Sequence, residues 1–224
     1  MTIGKLARSL LGRWFPIAGR LYRSVFVDLK KVVAAFPPIP PGATLLDIGG
    51  GDGEVINELI ARYPDTQVTM IDLSPRIGGA LRPELRDRVR LFPGTSMRKY
   101  AEQNPNPPDL VLISDVIHHV PPEQRKEFFA DLRTLVGNSG ATILIKDIEP
   151  GYPRAYLSWL ADRFISGDAI VALVPRAEVK RLLLEAFPAY EVAETRLMET
   201  DKPNYALVCT CGTPASLCRS GERI

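Results

Sequence analysis

The sequence predicts a single α/β domain built on a doubly wound sheet of seven strands. Short apolar runs alternate with amphipathic stretches from residue 44 to residue 145, which is typical of parallel strands joined by helical crossovers. Two later apolar runs, separated by the turn-forming residues 200–204, predict a terminal antiparallel hairpin. A length of 224 residues, with 46% hydrophobic and 24% charged residues, suits one domain with a substantial core.

The individual elements follow from the periodicity of the apolar residues. The predicted strands are the short apolar runs 44–48, 67–71, 89–92, 110–114, 142–145, 190–198 and 205–211. The predicted helices are the amphipathic stretches 54–62, 76–85, 122–135, 156–165 and 176–187.

The first 35 residues predict a helical cap. Apolar residues recur every three or four positions from Ile3 to Leu29, and Pro16 divides the stretch into two helices. Because residues 1–31 hold seven basic residues and one acid, the cap could be a lid over a site, a membrane-surface helix, or a helix packed on the domain. The proline-rich residues 36–42 form a linker, residues 43–212 the main domain, and 213–224 a C-terminal tail.

The composition argues against several classes of protein. The sequence contains no run of about 18 consecutive apolar residues, so no membrane-spanning helix is expected. The net charge of +2 is too small to indicate a polyanion partner, and no added RNA-binding module is visible. The three cysteines lie near the C-terminus without the spacing of a zinc or redox site, and the N-terminus lacks a secretory signal. We therefore expect a cytoplasmic protein without a metal site and without a nucleic-acid partner.

The first predicted strand runs directly into a glycine-rich loop, DIGGGDG, at residues 47–53. Glycines at a strand-to-helix turn let the backbone bend tightly and approach a ligand closely. The spacing differs from the G-x-G-x-x-G dinucleotide fingerprint, since Glu54 or Ile56 would occupy the third glycine position. The loop therefore indicates a cofactor site and disfavours a pyrophosphate cradle and a nicotinamide enzyme.

The pattern Asp47-x-Gly49-x-Gly51-x-Gly53 resembles the first motif of class I S-adenosylmethionine-dependent methyltransferases. The resemblance implies a Rossmann-like fold and S-adenosylmethionine as the cofactor, with Asp47 near its cationic amino-acid end. Asp72, about 20 residues after the glycines, has the position of the acid that accepts hydrogen bonds from the ribose hydroxyls. The predicted cofactor-binding residues are Asp47, Gly49, Gly50, Gly51, Asp72, Leu73, Ser96, Met97, Ser114 and Asp115.

Residues 112–120 end the fourth predicted strand and resemble the D-x-x-H-H stretch of ubiquinone-biosynthesis-like methyltransferases that act on small molecules. The only two histidines of the chain, His118 and His119, lie here, at the edge where open sheets bind ligands. Because neighbouring side chains point apart, we expect one of them to face the pocket. We favour His119 as a general base or as a contact near the cofactor, and His118 as a structural residue. Asp147, after the fifth strand, is a second candidate base on the same rim.

The segment 149–160 is the predicted acceptor-binding region, because the resemblance places acceptor selection in this insertion and in the N-terminal helices. Its substrate-binding candidates are Tyr152, Tyr156 and Trp159, although the spacing of Tyr156, Leu160 and Phe164 also fits an ordinary helix core. The predicted function is methylation of a small-molecule acceptor, preferably at the oxygen of an aromatic or lipid-like compound. Carbon methylation of quinone-biosynthesis type and cofactor binding without methyl transfer remain alternatives, and the oligomeric state is not predicted.

Overall fold

The computed structural model describes residues 29–153, 155–156, 171–195 and 203–212. The strands are β1 (Thr44–Ile48), β2 (Gln67–Asp72), β3 (Val89–Pro93), β4 (Leu110–Ser114), β5 (Thr142–Ile148), β6 (Tyr190–Thr195) and β7 (Asn204–Cys211). The helices are α1 (Leu29–Ala34), α2 (Glu54–Arg62), α3 (Met97–Gln103), α4 (Arg125–Val136) and α5 (Arg176–Ala186). Short 3₁₀ turns occupy Pro83–Arg88, Ile117–His119 and Pro122–Gln124.

The seven described strands form one sheet in the order β3-β2-β1-β4-β5-β7-β6. Strands β1 to β5 are parallel, and β7 lies antiparallel between β5 and β6. The predicted doubly wound α/β class and its terminal hairpin are therefore confirmed. The strand order reverses between β1 and β4, so the carboxyl ends of these two strands flank the crevice in which such sheets bind ligands.

Helices cover both faces of the sheet because successive strand residues point to opposite sides. Leu45 packs with Val33 of α1 and Ile56 of α2 in one buried cluster. Leu46 packs with residues of α3, α4 and α5 in a second cluster on the other face. Both layers hold the carboxyl ends of β1, β4 and β5 in a fixed arrangement beneath the candidate site.

The structure differs from the predicted elements in two places. Residues 76–82 are irregular and lead into the 3₁₀ turn Pro83–Arg88, because Gly78 adopts a left-handed backbone and prolines flank the stretch. Helix α3 was not predicted, although Ser96 caps it by accepting a hydrogen bond from the Lys99 N–H. Residues 36–42 are non-helical, as predicted, and the side chains of Phe36 and Ile39 within them are buried in the core.

Several predictions concern residues outside the described ones. These are the cap residues 1–28, most of the helix predicted at 156–165, the end of the strand predicted at 190–198, and the tail 213–224. Of the described helices, none combines the length and the apolar character needed to cross a membrane. A cytoplasmic location and a membrane contact through the cap stay predictions.

Candidate active site

The glycine loop after β1 leaves no room for side chains where it turns toward α2. A Cβ atom on Gly50 would lie 2.5 Å from Asp47 Oδ2 and 2.7 Å from the Met70 methyl carbon. A Cβ atom on Gly49, which has a φ of +70°, would lie 2.6 Å from Cγ2 of Val116. The loop after β1 therefore packs directly against the turn that follows β4. A Cβ atom on Gly51 would meet only the Gly49 carbonyl, at 3.9 Å, so this part of the loop faces open space.

Asp72 stands at the end of β2 with its carboxylate held in place by the backbone. Its Oδ2 accepts a hydrogen bond from the Gly51 N–H at 3.0 Å, and its Oδ1 accepts one from the Ser74 N–H at 2.7 Å. Each carboxylate oxygen has a second acceptor position, so the group can also accept hydrogen bonds from a ligand. This orientation fits the predicted contact with the two ribose hydroxyls.

Asp47 is a buried carboxylate, 3% exposed, at the base of the glycine loop. Burial, together with the negative charge of Asp72, raises the pKa of Asp47 to about 7. Within the described residues, no hydrogen-bond donor contacts the Asp47 carboxylate. A carboxylate in this state is stabilised by a cationic group, and the amino-acid end of S-adenosylmethionine carries an ammonium. Asp47, Asp72 and the open glycine loop therefore fit this cofactor.

The other predicted cofactor residues lie around the same loop. Leu73 is 75% exposed beside Asp72, and so presents an apolar surface at the rim. Ser114 donates a hydrogen bond to Asp115 at 3.3 Å. The Ser96 hydroxyl is engaged as the cap of α3, and Met97 is buried in the core, so the side chains of these two residues have structural roles.

Residues 78–81, whose role the sequence analysis did not predict, hold the glycine loop by hydrogen bonds and packing. The N–H of Gly78 donates to the Gly51 carbonyl at 2.9 Å, and that of Ala80 donates to the Asp52 carbonyl at 2.8 Å. Leu81 packs against Gly53, because a Cβ atom on Gly53 would lie only 2.9 Å from the Leu81 side chain. The consecutive glycines at 78 and 79 and the flanking Pro75 and Pro83 were the sequence signals that this stretch is not a helix.

The histidine turn after β4 carries a buried charged pair. His118 Nδ1 lies 2.6 Å from Asp147 Oδ1, and the His118 N–H donates to Asp147 Oδ2 at 3.2 Å. The Ile148 N–H donates to Asp147 Oδ1 at 2.7 Å. Burial alone would raise the pKa of Asp147, but the charge and hydrogen bond of His118, the Ile148 N–H and the charge of Lys146 together lower it. Asp147 is thus an ionised acceptor, and the ring N–H at Nδ1 of His118 donates to it.

This geometry corrects the prediction that Asp147 is a base on the rim. Its side chain is fully buried, its oxygens accept hydrogen bonds from His118 and Ile148, and its lowered pKa makes it a weak proton acceptor. His118 is buried as expected, but the sequence did not reveal its acidic partner. His119 is half-buried, and its ring centre lies 4.1 Å from that of His118. The His118 ring, which is held by Asp147, therefore lies against the His119 ring.

Lys146 is a fully buried lysine whose ammonium forms an ion pair with Asp115. Asp115 has a left-handed φ of 58°, the only positive φ of a non-glycine among the described residues. Possible ligand atoms of Asp115, His118 and Asp147 lie within 4.8 Å of one another, a separation that a metal site could use. Because Lys146 pairs with Asp115 and His118 pairs with Asp147, the cluster is a network of compensated charges.

Replacing Asp115 with Asn is expected to destabilise the cofactor-free protein more than replacing Lys146 with Met. Asn keeps the left-handed backbone accessible but removes the carboxylate charge that pairs with the buried ammonium, at a cost of about 3 kcal/mol. Met instead leaves a carboxylate that is 36% exposed, which water can solvate. Urea unfolding of both variants measures the difference, and equal or reversed losses would contradict the assignment of Lys146 as the buried partner.

The described part of the acceptor segment is exposed. Tyr152 is 39% exposed and Tyr156 is 53% exposed, so Tyr156 is not part of a helix core. Trp159 lies outside the described residues. Contact of these three side chains with an acceptor stays a prediction.

The reversed last strand, the glycine loop and the oriented acid on β2 together define a fold and site of the class I methyltransferase type. The chain belongs to the family of methyltransferase domains, whose sequence profile matches residues 21–186. This membership confirms the predicted methyltransferase class and S-adenosylmethionine as its cofactor.

Similar proteins include several O-methyltransferases. Myricetin 3'-O-methyltransferase 4 of Solanum lycopersicum is 24% identical over 131 residues, which cover 58% of this chain and 34% of the relative. The structure of mitomycin 7-O-methyltransferase has a TM-score of 0.63 at 21% identity, covering 90% of this chain and 60% of that one. An O-methyltransferase family 2 protein from Planctomyces limnophilus, in complex with apigenin, has a TM-score of 0.62 at 19% identity, covering 94% and 62%. The chain thus spans about a third of the curated relative's length.

Proposed function

We propose that this protein transfers a methyl group from S-adenosylmethionine to a hydroxyl oxygen of an aromatic small molecule. The observation that carries the proposal is the direct packing of the glycine loop against the histidine turn, at Gly49 and Val116. The contact supports the proposal because the turn that carries the candidate base adjoins the predicted cofactor loop. Bringing two reactants together in a fixed orientation can supply about 7 to 11 kcal/mol of the barrier.

The residues of the chain divide the work between binding and proton transfer. The cofactor supplies an activated methyl group, so the protein needs no covalent intermediate of its own. Asp47 and Asp72 hold the cationic and ribose ends of the cofactor. His119 accepts the proton of the acceptor hydroxyl, while the His118–Asp147 pair fixes the turn that carries it.

Two observations support an aromatic acceptor. Tyr152 and Tyr156 expose large side chains in the segment after β5, and exposed aromatic side chains commonly line pockets for flat ligands. The similar proteins include myricetin 3'-O-methyltransferase 4, whose name gives an aromatic acceptor methylated at oxygen. Myricetin is therefore the first acceptor to test.

The decisive experiment incubates the purified protein with S-adenosylmethionine and myricetin and analyses the products by mass spectrometry and NMR. A methyl ether supports the proposal. A carbon-linked methyl group would favour the quinone-biosynthesis type of reaction. Cofactor binding without any methylated product, across a panel of phenols and quinones, would favour a binding protein.

Asp72→Ala is expected to weaken S-adenosylmethionine binding about 100-fold or more. Each hydrogen bond between a charged group and a ribose hydroxyl contributes about 1.5 to 3 kcal/mol, and the carboxylate is placed to accept two. Calorimetric titration measures the affinity. Asp52→Asn is the matched control on the same loop, because the Asp52 carboxylate accepts a hydrogen bond from the Glu54 N–H at 3.3 Å at the start of α2. Equal losses in both variants would argue against a ribose contact at Asp72.

A further inference from the structure

Arg125 is a buried arginine, 4% exposed, at the start of α4 just beyond the histidine turn. Its Nε donates to the Val120 carbonyl at 3.3 Å, and its Nη2 donates to the Ala172 carbonyl at 2.8 Å. Its Nη1 forms an ion pair with Glu178 of α5 at 3.0 Å. A buried guanidinium is costly unless its donors are paired, and these donors have partners in three different segments. The side chain therefore cross-links the histidine turn, the segment 171–175 and α5.

Ala172 is held from both sides within this arrangement. Its N–H donates to the carbonyl of His118 at 2.8 Å, while its carbonyl accepts from Arg125. The segment 171–175 leads into α5 from the stretch after β5, where the acceptor-binding residues are predicted. One side chain thus connects the turn that carries the candidate base to the segment that precedes α5.

We infer that Arg125 is a positioning residue that fixes the histidine turn against the segment 171–175 and thereby sets where the acceptor lies relative to His119. This inference rests on the proposed methyl transfer. The planar guanidinium suits the task because it donates in several fixed directions, to Val120, Ala172 and Glu178 at once. A lysine ammonium is a point donor on a shorter reach and cannot maintain all three contacts.

The test compares Arg125→Lys and Arg125→Met with Arg133→Met. Arg133 is a matched control, because it lies on the same helix but contacts Gly137 and Asn138 beyond the other end. Amide hydrogen exchange at residues 116–120 and at Ala172 reports the cross-link without any acceptor. Steady-state kinetics with S-adenosylmethionine and myricetin, together with calorimetric titration of the cofactor, separate the acceptor site from the cofactor site.

We expect Arg125→Met to accelerate exchange at the Ala172 amide about 10-fold or more, while exchange in β1 and β4 is unchanged. Its kcat/KM for myricetin should fall about 10- to 100-fold, because a displacement of about 1 Å can have that effect on a reacting pair. The Kd for S-adenosylmethionine should stay within about threefold of the wild type, since Arg125 does not contact the glycine loop. Arg125→Lys should lie between the wild type and Arg125→Met.

Unchanged exchange at Ala172 in both Arg125 variants would overturn the inference. Equal losses of cofactor affinity and acceptor turnover would also overturn it, since they indicate general destabilisation. If Arg125→Met does not fold, Arg125→Lys and Glu178→Gln decide the outcome by the same measurements. A wild type that binds the cofactor but methylates no acceptor would contradict the proposed function, and the exchange experiment would still decide whether Arg125 holds the two segments together.

Discussion

Replacing Asp47 with Asn is expected to stabilise the cofactor-free protein at pH 8 and to weaken its binding of S-adenosylmethionine. The pKa of Asp47 is about 7 in the folded protein, against 3.8 for an ordinary aspartate. The folded state therefore holds this proton between about pH 4 and pH 7, where the unfolded state has released it, so stability falls as the pH rises through that window. Above pH 7 the penalty is complete, and at about 1.36 kcal/mol per tenfold change in proton affinity it is on the order of 4 kcal/mol.

The cofactor should reverse this penalty, because its ammonium compensates the Asp47 charge. Binding of S-adenosylmethionine to the wild type should therefore tighten between pH 5 and pH 8. Asp47→Asn should lose the pH dependence of S-adenosylmethionine binding and much of the affinity. The carboxylate that binds the cofactor would then be the group that destabilises the cofactor-free protein.

Urea unfolding at pH 5 and pH 8, with and without cofactor, measures both effects. Asp65→Asn, at an exposed position after α2, is the control and should change stability by less than about 0.5 kcal/mol at either pH. If Asp47→Asn keeps the wild-type loss of stability between the two pH values, the charge on Asp47 is not its source.

Replacing His119 with Ala is expected to lower kcat about 10²- to 10⁴-fold while the Kd for S-adenosylmethionine stays within about threefold. A general base speeds removal of the acceptor proton but does not contribute to cofactor affinity. Product formation from S-adenosylmethionine and myricetin, together with calorimetric titration of the cofactor, provides the measurement.

His118→Gln gives a contrasting result that separates the two histidines. Loss of His118 leaves the buried Asp147 without its main partner, which is expected to cost about 3 to 5 kcal/mol of folding stability. His119→Ala should cost less stability than His118→Gln, because the His119 side chain is half-buried whereas His118 is buried against the Asp147 carboxylate. Unchanged turnover in His119→Ala would remove this residue from the base role and favour an acceptor whose attacking atom carries no proton.

The regular elements were predictable because their signals are local. The apolar runs located all seven strands, with β1 and β4 predicted to the residue, and the glycine loop was recognised from its spacing. Helix α3 was missed because it is only seven residues long and too few of them are apolar to show a helical period. Its clearest signal in the sequence was Ser96 at the N-cap position. The stretch 76–85 was wrongly assigned as helix because amphipathic spacing outweighed the glycines and prolines that break it.

The sequence by itself determined the sheet, the glycine loop, the acid at Asp72 and the rim on which the histidines stand. Only the tertiary structure decided how the charged groups pair. Parallel register places Ser114 beside Lys146 across β4 and β5, which brings the side chains of residues about 30 positions apart into contact. Sequence periodicity reports which face a residue occupies but not which partner it meets, because pairing depends on the strand register and on the loops that follow. Lys146 with Asp115, Asp147 with His118, and Arg125 with three segments were therefore visible only in the folded chain.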